Sequence, residues 1–370
     1  MRLLQLKNRN IKKKAARGLV LVMTAGLLAG CSCAGKKVYF TTGLGEDEVF
    51  KIEGSACKDY TAKILLTTEK NTFEKSYGSQ IWSQTINGVT FEQYVKDNVK
   101  NELAQMKSMN LLAKDQDIEL SGDEEAYADY VADSYFNKLS DADRAYLDVT
   151  LEEVEKVYEQ YYLARKVYSE LPKDVNPEIS DAQAKIIKVQ SIYAKTYVLD
   201  ANGNRTDFSE EEKANAKAKL EKLIEQINGG ADFREVALNN TDASQVEYQF
   251  GRGEMVAEFE NAAFALSAGQ VSGVIESADG YYVIKCISDY METETAKHKS
   301  EMVQEEKDKA FLAVYDPFVE KLSSEFNDSL WNSISFDKMT GVTVDNFYTI
   351  TGDYASYGNN GNEEQKESES

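Results

Sequence analysis

The stretch FGRGEMVAEFENAAFALSAGQVSG at residues 250–273, followed by SADGYYVIKC at 277–286, decides the fold of this chain. Gly251 and Gly253 punctuate a loop, AEFENAAFAL carries apolar residues at helical spacing, and VSGVIES, ADG and YYVIKCI read as a hairpin. Phe250, Met255 and Phe259 stand around the glycine loop. By residue type alone they are either plain core or an apolar socket.

Working upstream, AKIIKVQSIYAKTYV at residues 184–198 is β-branched and alternating, the pattern of a strand. Ser209 with Glu212 caps a helix running to about Asn228, Gly229-Gly230 stops it, and a short helix follows around Phe233 to Leu238. Strand, helix, helix, helix, strand and strand make an α+β domain of about 110 residues, assigned to 177–290. Its sheet is expected to be antiparallel, with helices around it.

The flanks are helical. Between Thr90 and about Leu171 three segments each open with a capping box: Thr90 with Gln93, Ser121 with Glu124, Thr150 with Glu153. Apolar residues then recur at helical spacing, as in Phe91, Val95, Val99, Leu103 and Met106. Pro172 and Pro177 bracket the clearest boundary. Residues 292–330 read as one long helix with Phe311, Tyr315, Phe318, Val319, Leu322, Phe326 and Leu330 on one stripe and Pro317 as a kink. With no partner nearby, that stripe is expected to return to the N-terminal helices. The domain reading is therefore a linker with short strands at 31–89, a helical domain at 90–176, the α+β domain inserted at 177–290, a C-terminal helical segment at 291–350 and a disordered acidic tail at 351–370.

Residues 1–30 differ from the rest: seven Lys or Arg and no acid, then the apolar run GLVLVMTAGLLAG. That is a secretory signal, too short to span a bilayer comfortably. Leu28-Ala29-Gly30-Cys31 looks like a lipobox, which makes Cys31 the expected lipidated N-terminus of the mature chain. Cleavage takes Lys plus Arg from 42 to 35 against 63 Asp plus Glu, leaving a charge near −28. Such a chain repels nucleic acid and anionic headgroups, so acyl chains rather than charge would hold the membrane. Cys33, Cys57 and Cys286 form no CxxC pair, and His298 is the sole histidine. A zinc site or a Ser-His-Asp triad lacks its materials, no cofactor or metal is expected, and no disulfide is assigned. A two-lobed solute receptor is disfavoured for want of repeated βα units.

The glycine loop, helix and hairpin of residues 250–286, with the preceding GGADF turn, resemble the parvulin family of peptidyl-prolyl isomerases over about 180–290. Between helical flanks and behind a lipobox, the module looks like the extracytoplasmic foldase lipoproteins of Gram-positive bacteria, the PrsA type. The resemblance implies a chaperone-like all-α domain made by the flanks, and clients that are unfolded or newly secreted proteins with X-Pro bonds. The helical flanks could instead serve a homodimer. It further implies that Phe250, Met255 and Phe259 form the proline socket and that Asp242 stands where the family has its acidic or thiol residue. Such catalysis breaks no covalent bond; it needs an apolar socket, a dry site and donors that favour the twisted amide.

Two positions depart from the family pattern. The histidine of its first strand is Ser191 here, in QSIYAK, and the histidine of its last strand is Tyr282, in GYYVIKC. Serine and tyrosine hydroxyls can each donate and accept, so a hydrogen-bonded pair could survive in altered geometry. The longer phenol could also occlude the socket. The expectation is a lipid-anchored foldase with a peptide-binding groove, related to X-Pro isomerases; alternatively, the parvulin domain is weak or inactive and acts as a holdase.

Overall fold

Residues 43–86 and 88–349 are described by a computed structural model of the chain. The expected signal segment, Cys31, Cys33 and the acidic tail lie outside the described residues. Two compact units emerge, one formed by the chain up to Pro172 together with Phe311 onward, the other by Lys173–Ala310.

The first unit opens with β1 (Glu48–Ile52) and β2 (Ser55–Lys58), paired antiparallel across a turn at Glu53 and Gly54. Both turn residues have positive φ, 46° and 78°, the conformation a tight two-residue hairpin needs. The chain then enters α1 (Asp59–Tyr77), where a linker with short strands was expected. Ile64, Leu65 and Leu66 are adjacent rather than spaced by three or four, yet all three are buried. A helix covered on several sides shows no single stripe, which is why periodicity failed to reveal it.

After the short hairpin β3 (Thr85–Ile86) and β4 (Val89–Thr90) come α2 (Phe91–Asp115), α3 (Gly122–Lys138), α4 (Asp141–Leu147) and α5 (Leu151–Glu170). Ser121 and Thr150 form complete capping boxes, and the Thr90 hydroxyl accepts from the Gln93 amide. There are four helices here rather than three, because Ser140 and Asp143 make a further capping box that starts α4. Val95, Val99, Leu103 and Met106 are buried as their spacing predicts. A tyrosine-rich core fills α3 and α5: Tyr135, Tyr158 and Tyr162 are buried, and the Tyr158 hydroxyl donates to the Phe347 carbonyl at 3.0 Å.

The second unit holds α6 (Asp181–Ala184), β5 (Ile187–Lys195), the small hairpin β6 (Tyr197–Leu199) and β7 (Arg205–Asp207), α7 (Glu210–Asn228) and α8 (Phe233–Asn240). It continues through β8 (Glu247–Phe250), α9 (Ala257–Ala265), β9 (Ile275–Ser277) and β10 (Gly280–Ser288). The four-stranded sheet is antiparallel in the order β8-β5-β10-β9. Residues 247–250, left out of the six elements read from the sequence, are thus an edge strand. Alternation gives the sheet two apolar faces. Ile192, Ala194, Tyr281 and Val283 pack with Leu220, Leu223 and Phe233 of α7 and α8, while Ile187, Val189 and Ile284 pack with Phe250, Phe259 and Ala263.

From Glu292 the helix α10 (Glu292–Val319) runs through the division between the units. The expected helix to residue 330 stops eleven residues early. Pro317 lacks an amide and crowds the carbonyl four residues before it, and the helix survives it by two residues. The chain then forms β11 (Ser324–Phe326), a third strand beside β1 with the Phe50 and Phe326 rings 6.4 Å apart, and α11 (Asp328–Ser333). Phe311 and Tyr315, at the end of α10, are buried with the N-terminal helices, Phe311 lying edge-on to Tyr168 at 5.1 Å.

Candidate active site

The sheet face beneath α9 gathers most of the residues expected to act. On β5, Val189, Ser191 and Tyr193 share that face by alternation, opposite Cys286, Ile284 and Tyr282 of β10. Across it lie Phe250 at the end of β8, Phe259 on α9 and Met255 in the loop between them, all in one apolar cluster. The Phe250 and Phe259 centroids are 5.7 Å apart, Tyr248 stands 6.0 Å from Phe259, and Phe264 stands 5.9 Å from Phe250.

The glycine loop is held from inside. Gly253 has φ +84°, a conformation that favours glycine. Its amide donates to the Glu260 carboxylate at 2.7 Å, and the Gly251 amide donates to Glu254 at 2.7 Å. A side chain at Gly251 would meet His298 and Ile186 at 3.0 Å, so the loop can lie this close to α10 only without one. Arg252 spreads its guanidinium 4.0 Å over the Phe264 ring and donates to Asn261 at 3.1 Å. These ties place Met255 beside the two phenylalanines.

Tyr282 points into this constellation. Its ring stands edge-on to Phe259 at 5.1 Å and stacks on Tyr193 at 4.8 Å. Burial pushes its phenol above the ordinary value, against a lowering contribution from Ser277, so the hydroxyl is protonated at neutral pH. Ser191 is buried, and its Oγ has no hydrogen-bond partner. Of the two possibilities, the hydroxyl pair between Ser191 and Tyr282 is not formed: the register sets Ser191 opposite Ile284, and Tyr282 faces Tyr193 instead.

Asp242 lies beside the end of β5. Its amide donates to the Tyr193 carbonyl at 2.8 Å and its carboxylate accepts the Lys195 amide at 3.0 Å. It splints the end of β5 and makes no bond to Ser191 or Tyr282. Tyr193, Tyr248 and Phe264 line the candidate site and were missed by sequence reasoning. The first was legible, because a residue two positions after Ser191 must share its face. Among the described residues no cluster of three or more metal-ligating side chains occurs.

Comparison with known proteins follows the same lines. Residues 200–288 match the rotamase family, the PPIC-type PPIase domain. The foldase protein PrsA of Caldanaerobacter subterraneus subsp. tengcongensis is 25% identical over 283 residues, covering 74% of this chain and 82% of its own. The chaperone SurA of Cupriavidus metallidurans is 40% identical over 89 residues, 22% of this chain and 18% of its own. A crystal structure of the peptidylprolyl isomerase PrsA from Bacillus cereus is 17% identical and covers 80% of this chain and 98% of its own, at a TM-score of 0.33.

Proposed function

We infer, from a chain whose residues 200–288 belong to the PPIC-type peptidyl-prolyl isomerase family and which is homologous to the PrsA foldases, that this protein is a foldase whose parvulin domain binds X-Pro segments and isomerises them weakly. The observation that supports this reading is the Tyr282 ring seated on Phe259, a member of the proposed socket. Phe250, Met255 and Phe259 are the proposed socket. Ser191, with its buried hydroxyl unbonded, and Tyr282, with its phenol stacked on Tyr193, supply no hydrogen-bonded pair of the usual kind. Losing a preorganised donor at a reacting centre costs roughly 10²-fold or more. Asp242 acts by holding the strand that carries both Ser191 and Tyr193.

The wider reading is a lipoprotein anchored through Cys31 on the extracytoplasmic face of a Gram-positive cell membrane, taking unfolded secreted proteins as clients. Its support is the signal-like segment with its lipobox and the homology to PrsA. The helical unit is proposed as the chaperone part, and residues 177–290 as the isomerase part. A protease-coupled proline-peptide assay on the mature chain tests the central claim. Turnover equal to that of an ordinary parvulin would sink it; weak turnover with saturable peptide binding is expected.

A further inference from the structure

Tyr193 lies on the socket face and has no role in the function proposed above. The register sets it directly opposite Tyr282. Its hydroxyl donates to the Asp279 carbonyl at 2.5 Å, and its ring edge lies over Gly280, where a Cβ would come within 2.9 Å of Cε2. Its backbone is fixed as well: the amide donates to Thr241 Oγ1 at 3.0 Å and the carbonyl accepts from the Asp242 amide at 2.8 Å. A ring tied at its hydroxyl, edge and backbone is a rigid platform. Tyr282 stacks on that platform with 27° between planes and turns its own ring edge-on to Phe259 at 73°. A stacked aromatic pair biases one side-chain position over another by roughly twofold to tenfold.

We propose that Tyr193 is a positioning residue that holds the Tyr282 ring against Phe259 and so limits entry of a proline ring into the socket. The ligand class is the X-Pro segment of an extended polypeptide, which rests on the function proposed above; the placement of Tyr282 does not. Leucine at position 193 removes the platform while keeping an apolar strand residue, and Tyr282 is then held only by Ser277 at its hydroxyl and by its own contact with Phe259. Phenylalanine keeps the stack and loses the hydroxyl's interactions with the Asp279 carbonyl and with Tyr197.

The test uses the full chain with selectively labelled Tyr and Phe rings. A nuclear Overhauser contact between the Tyr282 and Phe259 rings is expected in the native protein and in Tyr193→Phe, and it should fall about threefold or more in Tyr193→Leu. An unchanged contact in Tyr193→Leu overturns the proposal, and Tyr193→Val serves the same purpose if the leucine variant does not fold. Titration with a succinyl-Ala-Ala-Pro-Phe peptide should give about three- to tenfold tighter binding in Tyr193→Leu than in native protein or Tyr193→Phe. Equal affinity in all three, with binding present, also overturns the proposal. Should no variant bind the peptide, Tyr282→Ala included, the peptide-binding reading fails, and the ring contact still decides the role of Tyr193.

Discussion

Glu102 on α2 accepts a 2.7 Å hydrogen bond from the Tyr348 hydroxyl, tying the C-terminal segment into the helical unit. Burial pushes the Glu102 carboxyl up to about 7, against the lowering effect of that bond. Burial, then the nearby Glu102 charge, pushes Glu69 on α1 up to about 7 as well. Both groups hold protons more tightly folded than unfolded, where the ordinary value is 4.5. Their contribution is therefore fully present below about pH 4.5 and is lost as pH rises through about 7. Urea unfolding of the helical unit should show stability falling by an amount on the order of 1–3 kcal/mol across that window. Glu69→Gln should flatten the slope; a slope unchanged by the substitution would refute the assignment.

Asp143 gives the opposite sign. Burial raises its carboxyl, but the Ser140 hydroxyl and the amides of Thr343, Ser140 and Val344 outweigh burial and hold it below its ordinary value. Its stabilisation is present above about pH 3.8 and is lost as pH falls through the lower folded value. Because one carboxylate both caps α4 and receives the Thr343 and Val344 amides, Asp143→Ala orphans several buried groups at once. A loss of about 3 kcal/mol is expected in chemical denaturation at pH 7. A change below about 0.5 kcal/mol would mean that the Thr343 and Val344 amides find other acceptors.

Ser191 carries a prediction about a bond it does not make. A buried hydroxyl without a partner costs about 1–3 kcal/mol relative to an apolar group. Ser191→Ala should therefore leave stability equal or raise it by up to about 1 kcal/mol, with turnover on proline peptides unchanged. A marked fall in turnover would restore the serine to a catalytic role.

How much of this was legible in advance differs between the two units. The parvulin domain was readable because its strands alternate, its helices are capped and its glycines fall where positive φ or close approach is required, as at Gly253. The helical unit hid α1, since Ile64, Leu65 and Leu66 are buried all round and leave no stripe. It also hid β11, because Phe326 continues the helical spacing of Phe311 and Tyr315 yet pairs with Phe50 across a sheet. At the site, residue types were visible but partners were not. Sequence placed Ser191 and Tyr282 in one constellation, and only the register revealed that Tyr193 stands between them as the stacking partner.

Gly280 sets how closely β10 can approach β5. Its φ is +145°, and an added Cβ would collide with the Ala194 carbonyl oxygen as well as crowd the Tyr193 ring. Gly280→Ala should cost about 2 kcal/mol or more, because the obstacle is backbone that cannot move without breaking the β5–β10 ladder. The loss should appear as hydrogen exchange in residues 187–195 and 280–288, with the exchange of α2 and α5 unaffected. Exchange equal to the native protein in both strands would show that the sheet can shift to accept the methyl group.

Restoring the missing chemistry is the sharpest test of the site. Ser191→His with Tyr282→His places imidazoles on one sheet face and removes the ring that stands on Phe259. The proposed socket residues Phe250, Met255 and Phe259 remain clustered and the loop ties through Glu254 and Glu260 are untouched. Turnover should rise by about tenfold or more, with the larger part in kcat, since the gain is in transition-state hydrogen bonding rather than ground-state binding. Tyr282→His alone should open the socket and improve KM with little change in kcat. If the double variant is no faster than the native chain while its peptide binding is intact, the missing histidines are not what limits catalysis. The limit would then lie in the splint that Asp242 makes to the β5 backbone.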